Sequence, residues 1–216
     1  DLDLAVELAS GGGYFNAGQM CSATSRVLVA QALLEPFLER LVAKAESIKV
    51  AGPLEEGAEM GPLVNQAQYQ RVIAHIEAGK QAGARLLCGG GRPDNQPRGY
   101  FLQPAVFTQV PLDSALWREE IFGPVLCVRG FGSEAEAIAL ANDSQFGLVA
   151  SVVSGDTANA ERVANALQAG LVWINAPQVI FAQAAWGGYK QSSLGRELGP
   201  WGMQAFQEIK HVIRAV

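Results

Sequence analysis

The chain has 216 residues, a formal net charge of -5 from 16 Lys and Arg against 21 Asp and Glu, and 49% hydrophobic residues. This length and apolar content suit one domain with a sizeable core and exclude a disordered chain. The mild acidity excludes nucleic acid or an anionic membrane as the main partner, since both call for clustered Lys and Arg.

Leu4, Ala5, Leu8 and Ala9 share one helical face, so Leu2–Ala9 reads as a helix that Gly11-Gly12-Gly13 breaks. Ser25–Ala30 is a short β-branched run, expected as a buried strand. Leu33–Ile48 carries Leu34, Phe37, Leu38, Leu41, Val42 and Ala45 at 3.6 spacing, the pattern of an amphipathic helix. Gln66–Gln81 is a second such helix, with Tyr69, Val72, Ile73 and Ile76 as its stripe. Ala84–Leu87 reads as a strand. Tyr100–Thr108 reads as extended, with Pro104 pointing to an edge position or an irregularity. Val125–Phe131 is a strand, Glu134–Ala141 a helix, Leu148–Val153 a strand, Thr157–Gln168 a helix and Gly170–Ile174 a strand. Ala176–Pro200 is Gly-rich without a clear period, and Gln207–Ile213 reads as a closing strand. Alternating β and α segments predict one α/β domain over residues 1–216. Its expected core is a largely parallel twisted sheet with helices on both faces.

No apolar run approaches the roughly 18 residues of a membrane-spanning helix, and Asp1-Leu2-Asp3-Leu4 lacks the basic head of a signal peptide. Three cysteines, Cys21, Cys88 and Cys127, are too few and odd in number for a disulfide scaffold, so a reducing cytoplasm is expected. Cys88 ends an apolar strand and Cys127 sits inside one, as small buried hydrophobes do. Cys21 differs. It lies among small and polar residues, Phe15-Asn16-Ala17-Gly18-Gln19-Met20-Cys21-Ser22-Ala23, on a Gly-containing loop between a helix and a strand. Such a loop exposes a nucleophile while its flanks hold it still. A cysteine hydrolase would pair Cys21 with a histidine. Only His75, in mid-helix, and His211, in the closing strand, are available, and neither has a local signature. We assign no metal ligands.

The segment Phe15–Ala23 resembles the active-site cysteine motif of the NAD(P)-dependent aldehyde dehydrogenases. Three further segments agree with that family in order and spacing. They are Glu119-Glu120-Ile121-Phe122-Gly123-Pro124-Val125, Val172-Trp173-Ile174-Asn175, and Trp186-Gly187-Gly188-Tyr189-Lys190 followed by Gly195-Arg196-Glu197. The likeness runs over essentially the whole chain. One departure is Ser193, where the family usually has glycine; we read it as a turn that needs no positive φ.

The resemblance implies roles for named residues. Cys21 thiolate would attack a small aldehyde, giving a thiohemiacetal and then a thioester that water cleaves, with the backbone N–H of Cys21 as one oxyanion donor. Glu120 would accept hydrogen bonds from the nicotinamide ribose of NAD(P)+, as an acceptor-only carboxylate suits a vicinal diol. Phe122 would lie near the nicotinamide ring. Gln68 and Arg71 fall where the family reaches the cofactor's ribose, although on the residues alone a solvated helix face serves equally well.

The stretch Trp173–Gln178 with Gln183–Gly188 resembles the betaine-aldehyde and aminoaldehyde branch. There an aromatic at the position of Trp186, with Phe15 and Phe181 nearby, would surround a cationic amine, at about 0.5–2 kcal/mol per ring. On the residues alone, Trp186 packs equally well as a structural partner of the Gly-Gly turn. Simple aliphatic and CoA-acylating substrates are the enzymatic alternatives, and a non-catalytic oligomerisation domain is the alternative of another class.

The family's general base sits in a Glu-Leu-Gly-Gly segment, its second oxyanion donor is an upstream asparagine, and its dinucleotide site carries a Gly-x-Gly-x-x-Gly between strand and helix. None of the three occurs here. The resemblance thus implies that residues 1–216 are the catalytic domain, that the Rossmann domain binding most of the cofactor is absent from the chain, and that the chain alone has negligible dehydrogenase activity. It further implies a homo-oligomer to which Gln207–Ile213 contributes an association-prone edge.

Overall fold

A computed structural model describes residues 1–216. Helix α1 spans Leu2–Tyr14, and its first turn is capped by the Asp1 carboxylate, which accepts from the Leu4 amide at 3.1 Å. Gly11, Gly12 and Gly13 do not end this helix; they lie within it. The reason is packing. A Cβ on Gly13 would stand 2.6 Å from a methyl of Leu126, so glycine lets the helix lie directly on the sheet.

The main sheet has four strands in the order β1 (Arg26–Ala30), β4 (Val125–Phe131), β3 (Ala105–Thr108), β2 (Arg85–Cys88). β4 pairs in parallel with β1, Arg26 opposite Cys127, and in parallel with β3, Ala105 opposite Val125. β2 adds antiparallel to β3 with a register shift between Leu86 and Cys88. β3 is therefore interior rather than an edge. Pro104 lies just before it, where no ladder N–H is missed, and the irregularity falls on β2. Val106, Phe107, Leu126 and Val128 are fully buried, as strands covered on two sides must be. Against this sheet pack α2 (Leu34–Ser47), whose Leu41 is fully buried, and α3 (Gln66–Gln81), whose Val72 and Ile76 are fully buried. The Asn65 side chain caps α3 by accepting from the Gln68 amide at 2.9 Å.

A one-turn helix, α4 (Ala115–Arg118), precedes β4, and α5 (Glu134–Asn142) follows it. The rest of the sheet is split into two pairs. β6 (Val149–Val152) lies parallel to β7 (Leu171–Ile174), joined by α6 (Thr157–Ala166). β5 (Phe146–Gly147) pairs antiparallel with β8 (Tyr189–Lys190). The α/β class and the mostly parallel pairing hold, and the single sheet expected becomes three separate sheets.

Three cations gather where α5 ends. Arg26 donates to the carbonyls of Leu140, Ala141 and Asp143; Arg118 donates to the Asp143 carbonyl and carboxylate; Lys190 reaches the carbonyls of Asn142 and Ser144. The last turn of a helix leaves carbonyls without partners and carries partial negative charge, so cations satisfy both needs.

The closing strand is a correction. α7 occupies Gly199–Gln204, with Pro200 in its first turn, and residues 207–213 form no ladder. The β-branched Ile209, Val212 and Ile213 suit a strand, but they do not alternate with polar residues and the segment pairs with none of the strands. Ile209, Val212 and Ile213 stand exposed. No helix is long and apolar enough to cross a membrane.

Candidate active site

The backbone between α1 and β1 is bent in an unusual way. Asn16, Ala17 and Gly18 follow one another at φ 52°, 56° and 70°, three successive left-handed residues. For an alanine this conformation costs roughly 1–2 kcal/mol. Burial of Ala17 and a reciprocal tie offset it: Asn16 Nδ2 donates to the Gln19 carbonyl at 3.1 Å, and Gln19 Nε2 to the Asn16 carbonyl at 3.0 Å. Gln19 Oε1 also accepts from the Val64 amide at 2.8 Å, fixing the bend to the segment before α3. Gly18 then presses on Gly123, where a Cβ would come within 2.1 Å of the carbonyl oxygen. The bend delivers Cys21, which is exposed, to a turn closed by the Ala23 amide on the Met20 carbonyl at 3.0 Å. The amides of Cys21 and Ser22, inside that turn, donate no hydrogen bond within the chain.

The other thiols differ in kind. Burial pushes the Cys88 thiol up to about 11 and the Cys127 thiol up to about 12. Cys127 Sγ lies 3.6 Å from the Leu116 carbonyl. At pH 8 iodoacetamide should therefore modify Cys21 alone in the folded chain, with peptide mass mapping as the check; equal labelling of all three would contradict the assignment. The two raised thiols also set an alkaline limit. A group whose folded value is raised supports folding below its unfolded value, here 9.0, and that support is lost as pH climbs through 11 and 12. The urea midpoint should fall across that window, and less steeply in Cys127→Ala.

His75 does not serve a cysteine. It is buried on α3 with Nε2 3.8 Å from Glu119 Oε2, and desolvation holds it below the usual imidazole value against the opposing pull of that carboxylate. His211 stands exposed in the tail. The hydrolase alternative thus has no histidine in contact with Cys21 to act as its base.

The α3 face that carries His75 also carries Gln68 and Arg71, and both reach the segment Glu119–Phe122. Gln68 Nε2 donates to the carbonyls of Ile121 at 3.1 Å and Phe122 at 2.8 Å, and Arg71 Nη2 to that of Glu120 at 2.7 Å. Arg71 is exposed and Gln68 half-buried, and both side chains hold the backbone of the Glu120 segment. Phe122 is half-buried at φ 56°, a conformation those bonds help to impose. The Glu120 carboxylate is exposed and has no hydrogen-bond or ion-pair partner in the chain. An acceptor-only group on a fixed backbone fits the vicinal hydroxyls of a ribose, so the donor set suits one wall of an NAD(P)+ site.

The long loop after β7 is tied down on both sides. Trp173 is buried and its Nε1 donates to the Val179 carbonyl at 2.8 Å, while Gln178 Nε2 donates to the Ser22 carbonyl at 2.9 Å. Phe15 and Phe181 are exposed, and Trp186 is half-buried. Trp186 exchanges backbone hydrogen bonds with Glu197 at 2.8 and 2.7 Å. None of these three rings pairs with another; the aromatic pair of the chain is Tyr69 with Tyr100. Ser193 has no positive φ, and its hydroxyl accepts from the Gly188 amide at 2.7 Å, so the departure from glycine adds a turn contact. Gln178 was not singled out from the sequence, because one glutamine in an aperiodic loop carries no local signal.

A family model described as "Aldehyde dehydrogenase family" matches residues 1–212. The chain is 48% identical to a chloroplastic betaine aldehyde dehydrogenase of Amaranthus hypochondriacus, over 99% of its own length and 43% of that protein's. It is equally 48% identical to the peroxisomal aminoaldehyde dehydrogenase 2 of Malus domestica, over 100% of its own length and 43% of that protein's. The chain thus spans less than half the length of these relatives. Among solved structures it is similar to a betaine aldehyde dehydrogenase of Staphylococcus aureus in complex with NAD+, with a TM-score of 0.93 and 44% identity, covering 95% of this chain and 41% of that one. A Bacillus cereus aldehyde dehydrogenase mutant gives a TM-score of 0.94 at 44% identity, covering 97% and 42%.

Proposed function

The chain belongs to the aldehyde dehydrogenase family, and from that premise we propose that it is the catalytic domain of an enzyme oxidising amino- or betaine-type aldehydes to carboxylic acids. The observation that carries this reading is the exposed Cys21 on a braced turn whose central amides are free. Cys21 thiolate attacks the aldehyde carbon, and the charge that develops on oxygen meets the unpaired Cys21 N–H. NAD(P)+, when bound, accepts the hydride that the oxidation releases. Cys21 then holds the acyl group as a thioester until water cleaves it. Glu120 would accept hydrogen bonds from the ribose hydroxyls and Phe122 would limit the position of the nicotinamide ring, while Gln68 and Arg71, which would lie near the same ribose, keep that segment in place. The main cofactor surface and the general base come from outside residues 1–216, so the chain alone turns over negligibly.

For the substrate, Trp186, Phe15 and Phe181 form part of an aromatic surround for a cationic amine. The identity to betaine and aminoaldehyde dehydrogenases supports this. Cation–π attraction of about 0.5–2 kcal/mol per ring corresponds to about 2–30-fold in kcat/KM. In the full-length enzyme, Trp186→Ala should lower the preference for 3-aminopropanal over an uncharged aldehyde by that factor. An unchanged preference would remove the cage and leave a general aliphatic enzyme. All three cysteines are unpaired, which supports a reducing compartment, the cytoplasm being one. The exposed apolar tail, including Phe206 and Ile209, supports self-association into a homo-oligomer.

A further inference from the structure

We infer that Gln178 is a positioning residue for Cys21, holding the turn so that its free amides face the developing oxyanion. The inference rests on the nucleophile reading of Cys21. Beside the tie of Gln19 to the Val64 amide, the turn Met20–Ala23 is anchored at three places. Gly18 backs onto Gly123, the Thr24 amide donates to the Gly12 carbonyl at 3.0 Å, and the Ser22 carbonyl accepts from Gln178 Nε2 at 2.9 Å. The first two brace the ends of the loop. Only the third acts inside the turn, on the Ser22–Ala23 peptide unit, one residue beyond the nucleophile.

The surroundings are shaped for this side chain. A Cβ on Gly12 would meet Thr24 Oγ1 at 2.3 Å and Gln178 Nε2 at 2.9 Å, so the amide occupies space that only a glycine on α1 leaves open. Gln178 Nε2 also lies 3.5 Å from Thr24 Oγ1. The loop cannot drift from this contact, because Trp173 holds the carbonyl of Val179, the next residue. Gln178 touches no reacting atom. It connects the loop proposed to line the substrate with the backbone that presents the thiol, so the two move as one body.

Two reagents separate positioning from thiol chemistry. Acylation of Cys21 by p-nitrophenyl acetate passes through a tetrahedral oxyanion, whereas alkylation by iodoacetamide does not. In the 216-residue chain, Gln178→Met keeps the length and removes the donor. Acylation of Cys21 should fall about 10-fold while alkylation stays within about 2-fold, since small displacements at a reacting centre are costly only where geometry matters. Hydrogen exchange should quicken about 5-fold in peptides covering Met20–Thr24 and not in those covering Val125–Phe131, as loss of one neutral hydrogen bond would give. Gln178→Asn, with the amide one methylene short, should show the same split. The inference is overturned if both variants acylate like the parent, or if acylation and alkylation fall together. A parent chain acylated no faster than free cysteine overturns the nucleophile reading itself, and this inference with it.

Discussion

Cys21→Ala in the full-length dehydrogenase should lower kcat for any aldehyde by about 10⁴-fold or more, on the scale seen when a covalent nucleophile is removed. Nothing else in the chain can take over. Cys88 and Cys127 are buried with thiols pushed up to about 11 and about 12, and His75 is engaged with Glu119. Stability should hardly change, because Cys21 is exposed and makes no side-chain hydrogen bond; such substitutions typically fall within about 0.5 kcal/mol. The decisive pair of measurements is single-turnover oxidation and the urea midpoint. A variant retaining a tenth of the parent rate would end the case for Cys21.

Gly18→Val should be the most damaging substitution near the site for folding, by about 3–5 kcal/mol. Two costs combine. At φ +70° a β-branched residue is strained by roughly 1–2 kcal/mol, and its Cβ would need to displace the Gly123 backbone from 2.1 Å. A flexible side chain could swing away, but a carbonyl on the way into β4 cannot without disturbing the sheet. Because Gly123 also follows the Glu120–Phe122 segment, the same substitution should weaken NAD(P)+ binding in the full-length enzyme. Cofactor titration by fluorescence and urea denaturation would check both halves. A loss below about 1 kcal/mol would mean that the contact relaxes easily.

How far the sequence could be read depends on where the determining contacts lie. The helix Gln66–Gln81 and the strand Val125–Phe131 were legible to the residue, because one is a 3.6 pattern opened by an Asn cap and the other starts with the apolar run Val125–Val128. Gly11–Gly13 misled because a local rule makes glycine a stop, while here Leu126, more than a hundred positions away, demands its small size. Gln207–Ile213 has the β-branched residues of a strand, but composition cannot supply a pairing partner, and the segment pairs with none. Among site residues, Cys21 stood out by its polar setting. Gln68 and Arg71 were found by position, yet their contacts with the carbonyls of residues 120–122 exist only once α3 lies beside that segment. Gln178 lay in the stretch Trp173–Gln178 but nothing local marked its contact, since its partner Ser22 lies 156 positions away.

The strand order of the main sheet also orders events in time. β1, which follows the nucleophile loop, has a single neighbour, β4, and Gly18 leans on Gly123 just before that strand. At about 5–20 residues per second of synthesis, β4 emerges roughly 5–20 s after β1. Throughout that interval the thiol has been made but its seat has not. A nascent chain stalled before residue 123 would carry Cys21 on an unbraced loop, open to oxidants and to other thiols, and a chaperone arriving in that interval would meet the future nucleophile as an ordinary free cysteine.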